Sequence, residues 1–305
     1  MPERFAVQLR EADQRLDKLL RQRFPALSFG QTQKLIRSGR VRVDGRRAKA
    51  RDPVPAGAMV TLPYQGQDQG QETALPPAHA ALAKLRLYGD DSLVAIDKPA
   101  GLAVQGGTLV KTHVAGLIAG TDLRLVHRLD RETSGLLLLG QGALNAKVLT
   151  RAFARQEVEK TYLAVVPRVD RQAGTLTFPL KKALVGGEGR RVIASPQTQG
   201  AQMAVTDFEV LGRSAAGVLL RLAPRTGRTH QLRVHCAQAF GGIFGDSKYG
   251  AAQDRASRLL LHAWRLQLAH PETGEALALE AALPPAYVQA LETLRLSLPE
   301  TWSPL

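Results

Sequence analysis

"LVHRLDRETSG", Leu125 to Gly135, runs straight into the apolar stretch "LLLLG" that ends at Gly140. Between His127 and Thr133 lie three cationic or potentially cationic side chains and two carboxylates, with Asp130 set between Arg128 and Arg131. Such a cluster at the edge of a buried strand has two readings. In one, Asp130 caps a helix beginning at Arg131, with Thr133 and Ser134 in its first turn. In the other, flanking guanidinium groups keep Asp130 anionic, and an anionic oxygen in a largely desolvated pocket is a competent nucleophile.

The rest of the chain narrows the choice. It has 305 residues, enough for two domains, and 44% hydrophobic residues, enough for a packed core. A formal net charge of +14 favours a polyanionic partner. With only 5% aromatic residues, the surface is not built on rows of stacking rings. Cys236 is the single cysteine, so no intramolecular disulfide is possible and a reducing compartment is expected. The N-terminus lacks an apolar signal region, and no apolar run approaches the ~20 residues of a membrane helix. A soluble cytoplasmic protein with no membrane partner is expected.

The chain divides near residue 63. Leu16, Leu19, Leu20 and Phe24 recur at helical spacing, and Pro25 stops that helix. "SFGQTQKLIRSG" predicts a second helix, with Ser28 and Gln31 spaced as a capping box and Gly39 as the stop. "RVRVDG" alternates Val41 and Val43 inward with Arg40 and Arg42 outward and ends in an Asp44-Gly45 turn. From Gln31 to Arg51 there are eight Lys or Arg and one acid, Asp44, a stripe suited to phosphates. The helix–helix–strand order with "LIRSGRVRVDG" resembles the S4 RNA-binding domain. That resemblance, placed on residues 12–62, implies that Lys34, Arg37, Arg40 and Arg42 face RNA.

Residues 63–79, rich in Gly, Gln and Pro, read as a flexible linker. The second segment, residues 80–298, shows strand-like runs in "LRLYGDDSLVAIDKPAGL", "GAQMAVTDFEVLG" and "GVLLRLAP". Helical patterns appear in "ALNAKVLTRAFAR" and "RTHQLRVHCAQAF". Strands in hairpins with occasional helices predict an α+β domain. "GQGALN" is a near-miss for a dinucleotide fingerprint, and no P-loop or G-x-S-x-G elbow occurs. His230 and His235, five apart, would point about 140° apart on a helix and could not share a metal. No cofactor and no metal are expected.

"HRLDRETSG" resembles the H-R-L-D-x-x-T-S-G signature of the RluA-type pseudouridine synthase family. "EKTYLAVV" is similar to its K-x-Y-x-A segment, and "PRTGRTHQLRVHCAQAFGGIFGDSKYG" to its T-G-R-T-H-Q-[IL]-R-V-H and G-D-x-x-Y-G segments. "VAIDKPAGLAV" is similar to its opening strand and K-P-x-G turn. The resemblance implies a mixed, mainly antiparallel-sheet catalytic domain behind the S4 domain, acting on RNA without a cofactor. It implies that Asp130 is the nucleophile, at ribose C1′ or base C6, and that Arg228 pairs with it. It implies further that Tyr162 packs on the flipped base and serves a later proton removal from C5. Arg128 would fill the vacated place in the RNA stack, and Leu261 would line the uracil pocket. "GLAVQGGTLVKTHV" resembles the large-subunit ribosomal RNA branch, although Gln105 stands where a histidine is usual. A monomer is expected. An S4-type RNA-binding protein of ribosome assembly that has lost catalysis is the alternative, and intact Asp130, Tyr162 and Arg228 argue against it. A DNA-binding protein would need a recognition-helix arrangement that the pattern lacks.

Overall fold

The computed structural model describes residues 3–24, 29–62, 78–106, 112–184, 190–194, 200–250 and 256–299. By internal contacts the chain forms two compact units, Met1–Leu75 and Pro76–Leu305.

In the small unit, helix Leu16–Arg23 buries Leu16, Leu19 and Leu20 completely, with Phe24 beside them. Each such leucine contributes about 1.5–3 kcal/mol relative to exposure. Helix Phe29–Arg37 ends as expected at Gly39, whose φ of +69° is the left-handed stop. Its proposed cap, Ser28, lies outside the described residues. Strands Arg42–Val43 and Arg46–Arg47 form a hairpin whose two-residue turn, Asp44-Gly45, has positive φ at both positions. That is the primed turn that matches strand twist. Upstream of residue 12, strand Glu3–Ala6 pairs with Met59–Leu62, so this sheet begins earlier than the sequence suggests. Residues 63–77 of the expected linker lie outside the described residues, and helix Ala78–Leu85 starts within its last two positions.

In the large unit, eleven described strands make one sheet. From one edge the order is Arg190–Ala194, Ala173–Leu184, Gln202–Arg213, Val218–Pro224, Glu159–Val166, Leu261–Ala269, Ser134–Gln141, Leu93–Lys98 and Arg86–Gly89. Ala276–Glu280 and Leu123–Leu125 pair alongside. Helix Gly142–Ala154 packs Ala146 and Leu149 against Leu136 and Leu138, and helix Pro285–Thr293 buries Tyr287 in the larger core.

Among these described strand pairs, one is parallel: Ser134–Gln141 against Leu261–Ala269, with Ser134 opposite His262 and Gly135 opposite Ala263. Gly135 is required there. Its φ is +106°, and a Cβ would lie 2.1 Å from the Ala263 carbonyl oxygen. One position further, the pairing of Glu159–Val166 with Leu261–Ala269 skips Trp264, a bulge that falls beside Tyr162. Bulges re-aim side chains, and this one lies where Tyr162 meets the cavity.

Gly135→Ala should therefore destabilise the chain by about 2–4 kcal/mol, because neither the φ nor the carbonyl contact can relax cheaply. Urea denaturation of the full chain measures this. A loss within about 0.5 kcal/mol, the range of ordinary surface substitutions, would refute the tight-seam account.

Candidate active site

A cavity of about 400 Å³ opens between the Val126–Thr133 loop, the Glu159–Val166 strand and the turn leading into helix Gln231–Phe240. Asp130, Arg128, Tyr162, Arg228 and Leu261 all line it. Lys34, Arg37, Arg40 and Arg42 belong to the small unit.

Asp130 does not cap a helix. Arg131 and Glu132 form a turn, closed by Thr133 N–H donating to the Asp130 carbonyl at 3.2 Å, and the next element is a strand. Lys98 ties the turn down. Its fully buried ammonium donates to the carbonyls of Pro99, Leu102 and Arg131 at 2.9, 2.9 and 3.1 Å, and Gly101 N–H donates to the same Arg131 carbonyl. Burial lowers the Lys98 pKa to about 8. On the other side of the turn, Ser134 Oγ accepts from Arg258 at 2.7 Å and bonds His262 Nδ1 at 2.9 Å, while His262 Nε2 reaches the Ala281 carbonyl at 3.1 Å.

The arginines beside Asp130 in sequence are not its partners. Arg131 pairs with Glu132 at the surface, and Arg128 is exposed at the cavity mouth. Arg228 does not pair with Asp130 either. It is exposed, and its Nε donates to the Met203 carbonyl at 3.2 Å. The Asp130 partner is Arg233, whose Nη1 stands 3.4 Å from Asp130 Oδ2. Arg233 is almost wholly buried and is held by Asp246 through two bonds of 2.8 and 2.7 Å. Burial raises the Asp246 carboxyl, but the Arg233 bonds and the backbone N–H groups of Lys248 and Tyr249 outweigh it and hold the pKa below the usual value.

His230, in a left-handed conformation (φ +53°), lies with Nε2 3.8 Å from Asp130 Oδ1. Its Nδ1 is 2.8 Å from the Tyr249 hydroxyl, which itself accepts from Val192 N–H. Burial lowers the His230 pKa, against the opposing pull of Asp130. The turn is fixed by Gln231. Its Oε1 accepts from the Thr226 hydroxyl and Arg228 N–H, and its Nε2 donates to the Val205 carbonyl and Thr206 Oγ1. With all four bonds made, this buried amide is fully satisfied. The helix therefore starts at Gln231, three residues later than Arg228, and that shift hands the inward position to Arg233.

Tyr162, on the strand opposite the bulge, projects into the cavity and packs against both adjoining cores. Burial, and then Asp130, raise its pKa above the ordinary phenol value. Leu261, 3% exposed, forms part of the apolar wall. Arg233, Asp246, Gln231 and Lys98 were not singled out by sequence reasoning, and His230 was weighed only as a metal ligand. One signal was available: "QLRVHCAQAF" is an apolar helix containing an arginine, and a buried arginine demands a carboxylate.

On the small unit, Arg37, Arg40 and Arg42 are exposed, as are Arg46, Arg47, Lys49 and Arg51. Among the described residues none of these seven makes an ion pair. Asp44, the one acid in the stripe, accepts instead from Met59 N–H at 2.8 Å. Lys34 lies on helix Phe29–Arg37. No helix among the described residues is long and apolar enough to cross a membrane.

The RNA pseudouridylate synthase family model matches residues 92–238, and the S4 domain model matches residues 14–60. The chain is 35% identical over 95% of its length, and 96% of the relative's, to the ribosomal large subunit pseudouridine synthase C of Salmonella typhimurium. The protein of that name from Escherichia coli is 34% identical over the same shares, and that from Rickettsia conorii 33% identical over 88% of this chain and 94% of its own. Among solved structures, human RNA pseudouridylate synthase domain containing 4 superposes with a TM-score of 0.61 at 29% identity, covering 72% of this chain and 97% of that one. Motifs, fold and relatives agree, and the chain belongs to the RluA-type pseudouridine synthase family, isomerases that convert uridine in RNA to pseudouridine.

Proposed function

We propose that this enzyme modifies uridines in large-subunit ribosomal RNA in the cytoplasm, with Asp130 as nucleophile. The observation that carries the assignment is the placement of the Asp130 carboxylate on the cavity wall, 3.4 Å from an arginine that another carboxylate holds rigid. The conversion breaks the N1–C1′ bond, joins C5 to C1′, gives N1 a proton and removes one from C5. It needs no external oxidant or reductant. Asp130 begins it by attack at C1′, expelling the uracil anion, or at C6. Either route needs a carboxylate oxygen aimed into a site that admits a flipped nucleoside, and taking a base out of its stack costs a few kcal/mol. Arg128, exposed at the mouth, carries the planar cation that can occupy the vacated stack. Tyr162 and Leu261 pack on the base. As a neutral phenol Tyr162 suits packing better than proton abstraction, so its role here is contact with the base. Arg37, Arg40 and Arg42, with Lys34 on the same helix as Arg37, supply phosphate contacts.

Asp130→Asn should bind RNA and fold as the wild type does while forming no detectable pseudouridine. Tritium release from 5-tritiated uridine in total RNA from cells lacking the protein reports this. Release at the wild-type rate would remove Asp130 from the chemistry. Mapping the new pseudouridines to the large subunit, or to another RNA, tests the substrate.

The two arginines should separate kinetically. Arg233→Gln and Asp246→Asn should each lower kcat by about 10²-fold or more, since a displacement near 1 Å at the reacting group has that effect. Arg228→Gln should act mainly on KM. A large kcat loss for Arg228→Gln with a small one for Arg233→Gln would restore the pairing first expected from the sequence.

Exposed phosphate contacts should behave differently again. Arg40→Gln with Arg42→Gln should raise KM, leave kcat nearly unchanged, and flatten the salt dependence of RNA binding by about one unit or more. Equal salt slopes for the variant and the wild type would show that this face does not touch RNA.

A further inference from the structure

Lys160 and Tyr162 are two residues apart on strand Glu159–Val166, so they share a face, and both line the cavity. The mechanism uses Tyr162 and leaves Lys160 without a task. Among the described residues the Lys160 ammonium has no carboxylate partner and no hydrogen-bond acceptor. Burial alone lowers its pKa, with no anion opposing the shift. A partly desolvated, unpaired cation is costly to keep.

Beside it stands His127. Leu138 N–H donates to His127 Nε2 at 2.8 Å, and a backbone amide can only donate. Nε2 is therefore the unprotonated nitrogen. Burial, and then Lys160, push the ring's pKa down to about 3, so at neutral pH it carries one proton, on Nδ1. The ring is fixed by stacking on Phe153, with centroids 4.2 Å apart and planes at 16°. Among the described residues this part of the cavity offers an ammonium and an N–H, two donors without an acceptor. The uracil of the bound substrate is neutral, and until the N1–C1′ bond breaks it would leave the charge uncompensated. The anion that an RNA strand necessarily brings beside a flipped nucleotide is its phosphate.

We propose that Lys160, with the Nδ1–H of His127, forms a recessed subsite for the backbone phosphate flanking the target uridine. The proposal rests on RNA as substrate. It separates two kinds of cation. Arg128 and Arg228 are exposed and can meet any strand, whereas Lys160 lies inside the cavity and engages only when a nucleotide has entered. Its contribution therefore belongs to productive binding and not to general affinity for RNA.

The test uses the full chain and tritiated total RNA from cells lacking the protein. Lys160→Met should raise apparent KM roughly three- to tenfold, leave kcat within about twofold, and flatten the salt dependence of kcat/KM by about 0.7–0.9, the loss of one phosphate contact. Binding to unrelated RNA should not change. The variant's Tm should equal or exceed the wild type's, since an unpaired charge has been removed, and Lys160→Arg should restore the salt slope. An unchanged KM and slope would overturn the subsite. So would a fall in kcat at constant KM, which would place Lys160 at the base, and so would a lowered Tm, which would show the ammonium to be paired within the protein. Wild-type tritium release, and where the new pseudouridines map, bear separately on the substrate assignment.

Discussion

The site depends on one guanidinium serving two carboxylates. Arg233 donates twice to Asp246, whose side chain is fully buried, and once, at longer range, to Asp130. The planar fork makes this possible, because a lysine ammonium could not span both oxygens of Asp246 and still reach a second acid in a fixed direction. The Tyr249 ring, 5.2 Å from the guanidinium carbon, closes another side. The charge count matters as much as the geometry. Asp246 already neutralises Arg233, so the cluster retains one net negative charge, and it resides on the acid that faces the cavity. A carboxylate held bidentately by an otherwise unpaired arginine would be stabilised against reaction. Asp130 is oriented at 3.4 Å without being sequestered.

Orientation at that scale requires the Asp130 backbone to be fixed independently. Lys98 does this from one side, gathering three carbonyls, one of which belongs to the residue after Asp130. The parallel seam does it from the other. Gly135 lets the strand approach Ala263, and the chain from Arg258 through Ser134 and His262 to the Ala281 carbonyl stitches that seam. The Asp130 loop is thus held between a buried cation and a buried polar relay, each satisfied within the protein.

Much of this was legible in the sequence where the controlling interactions are local. Leu16, Leu19, Leu20 and Phe24 announced a helical face, and Asp44-Gly45 announced a primed hairpin turn, because periodicity and turn chemistry act within a few residues. Strand Glu3–Ala6 was missed because its partner, Met59–Leu62, lies more than fifty residues away and four residues carry no pattern of their own. Three of the four family motifs line the cavity, yet the partner of Asp130 was assigned to Arg228 and not to Arg233. That choice turns on where a helix begins. The start is set by Gln231 bonding to Val205, Thr206, Thr226 and Arg228, and no window around residue 230 contains the first two of those. The bulge at Trp264 beside Tyr162 is likewise a property of two strands together.

The distribution of cations follows a physical division of labour. On the small unit the arginines of the basic stripe are exposed and, among the described residues, make no ion pair, and their one acidic neighbour, Asp44, is occupied by a backbone amide. Charges so exposed interact with phosphate through solvent, at long range and with strong sensitivity to salt. Within the catalytic unit three cations are recessed and individually directed: Arg233 on a carboxylate, Lys98 on carbonyls, Lys160 on open cavity. In a lower dielectric each acts over a shorter path and with greater strength. Salt should therefore weaken the enzyme's hold on RNA much more than the chemical step, because the charges that find the substrate and the charges that arrange the reaction stand in different solvents.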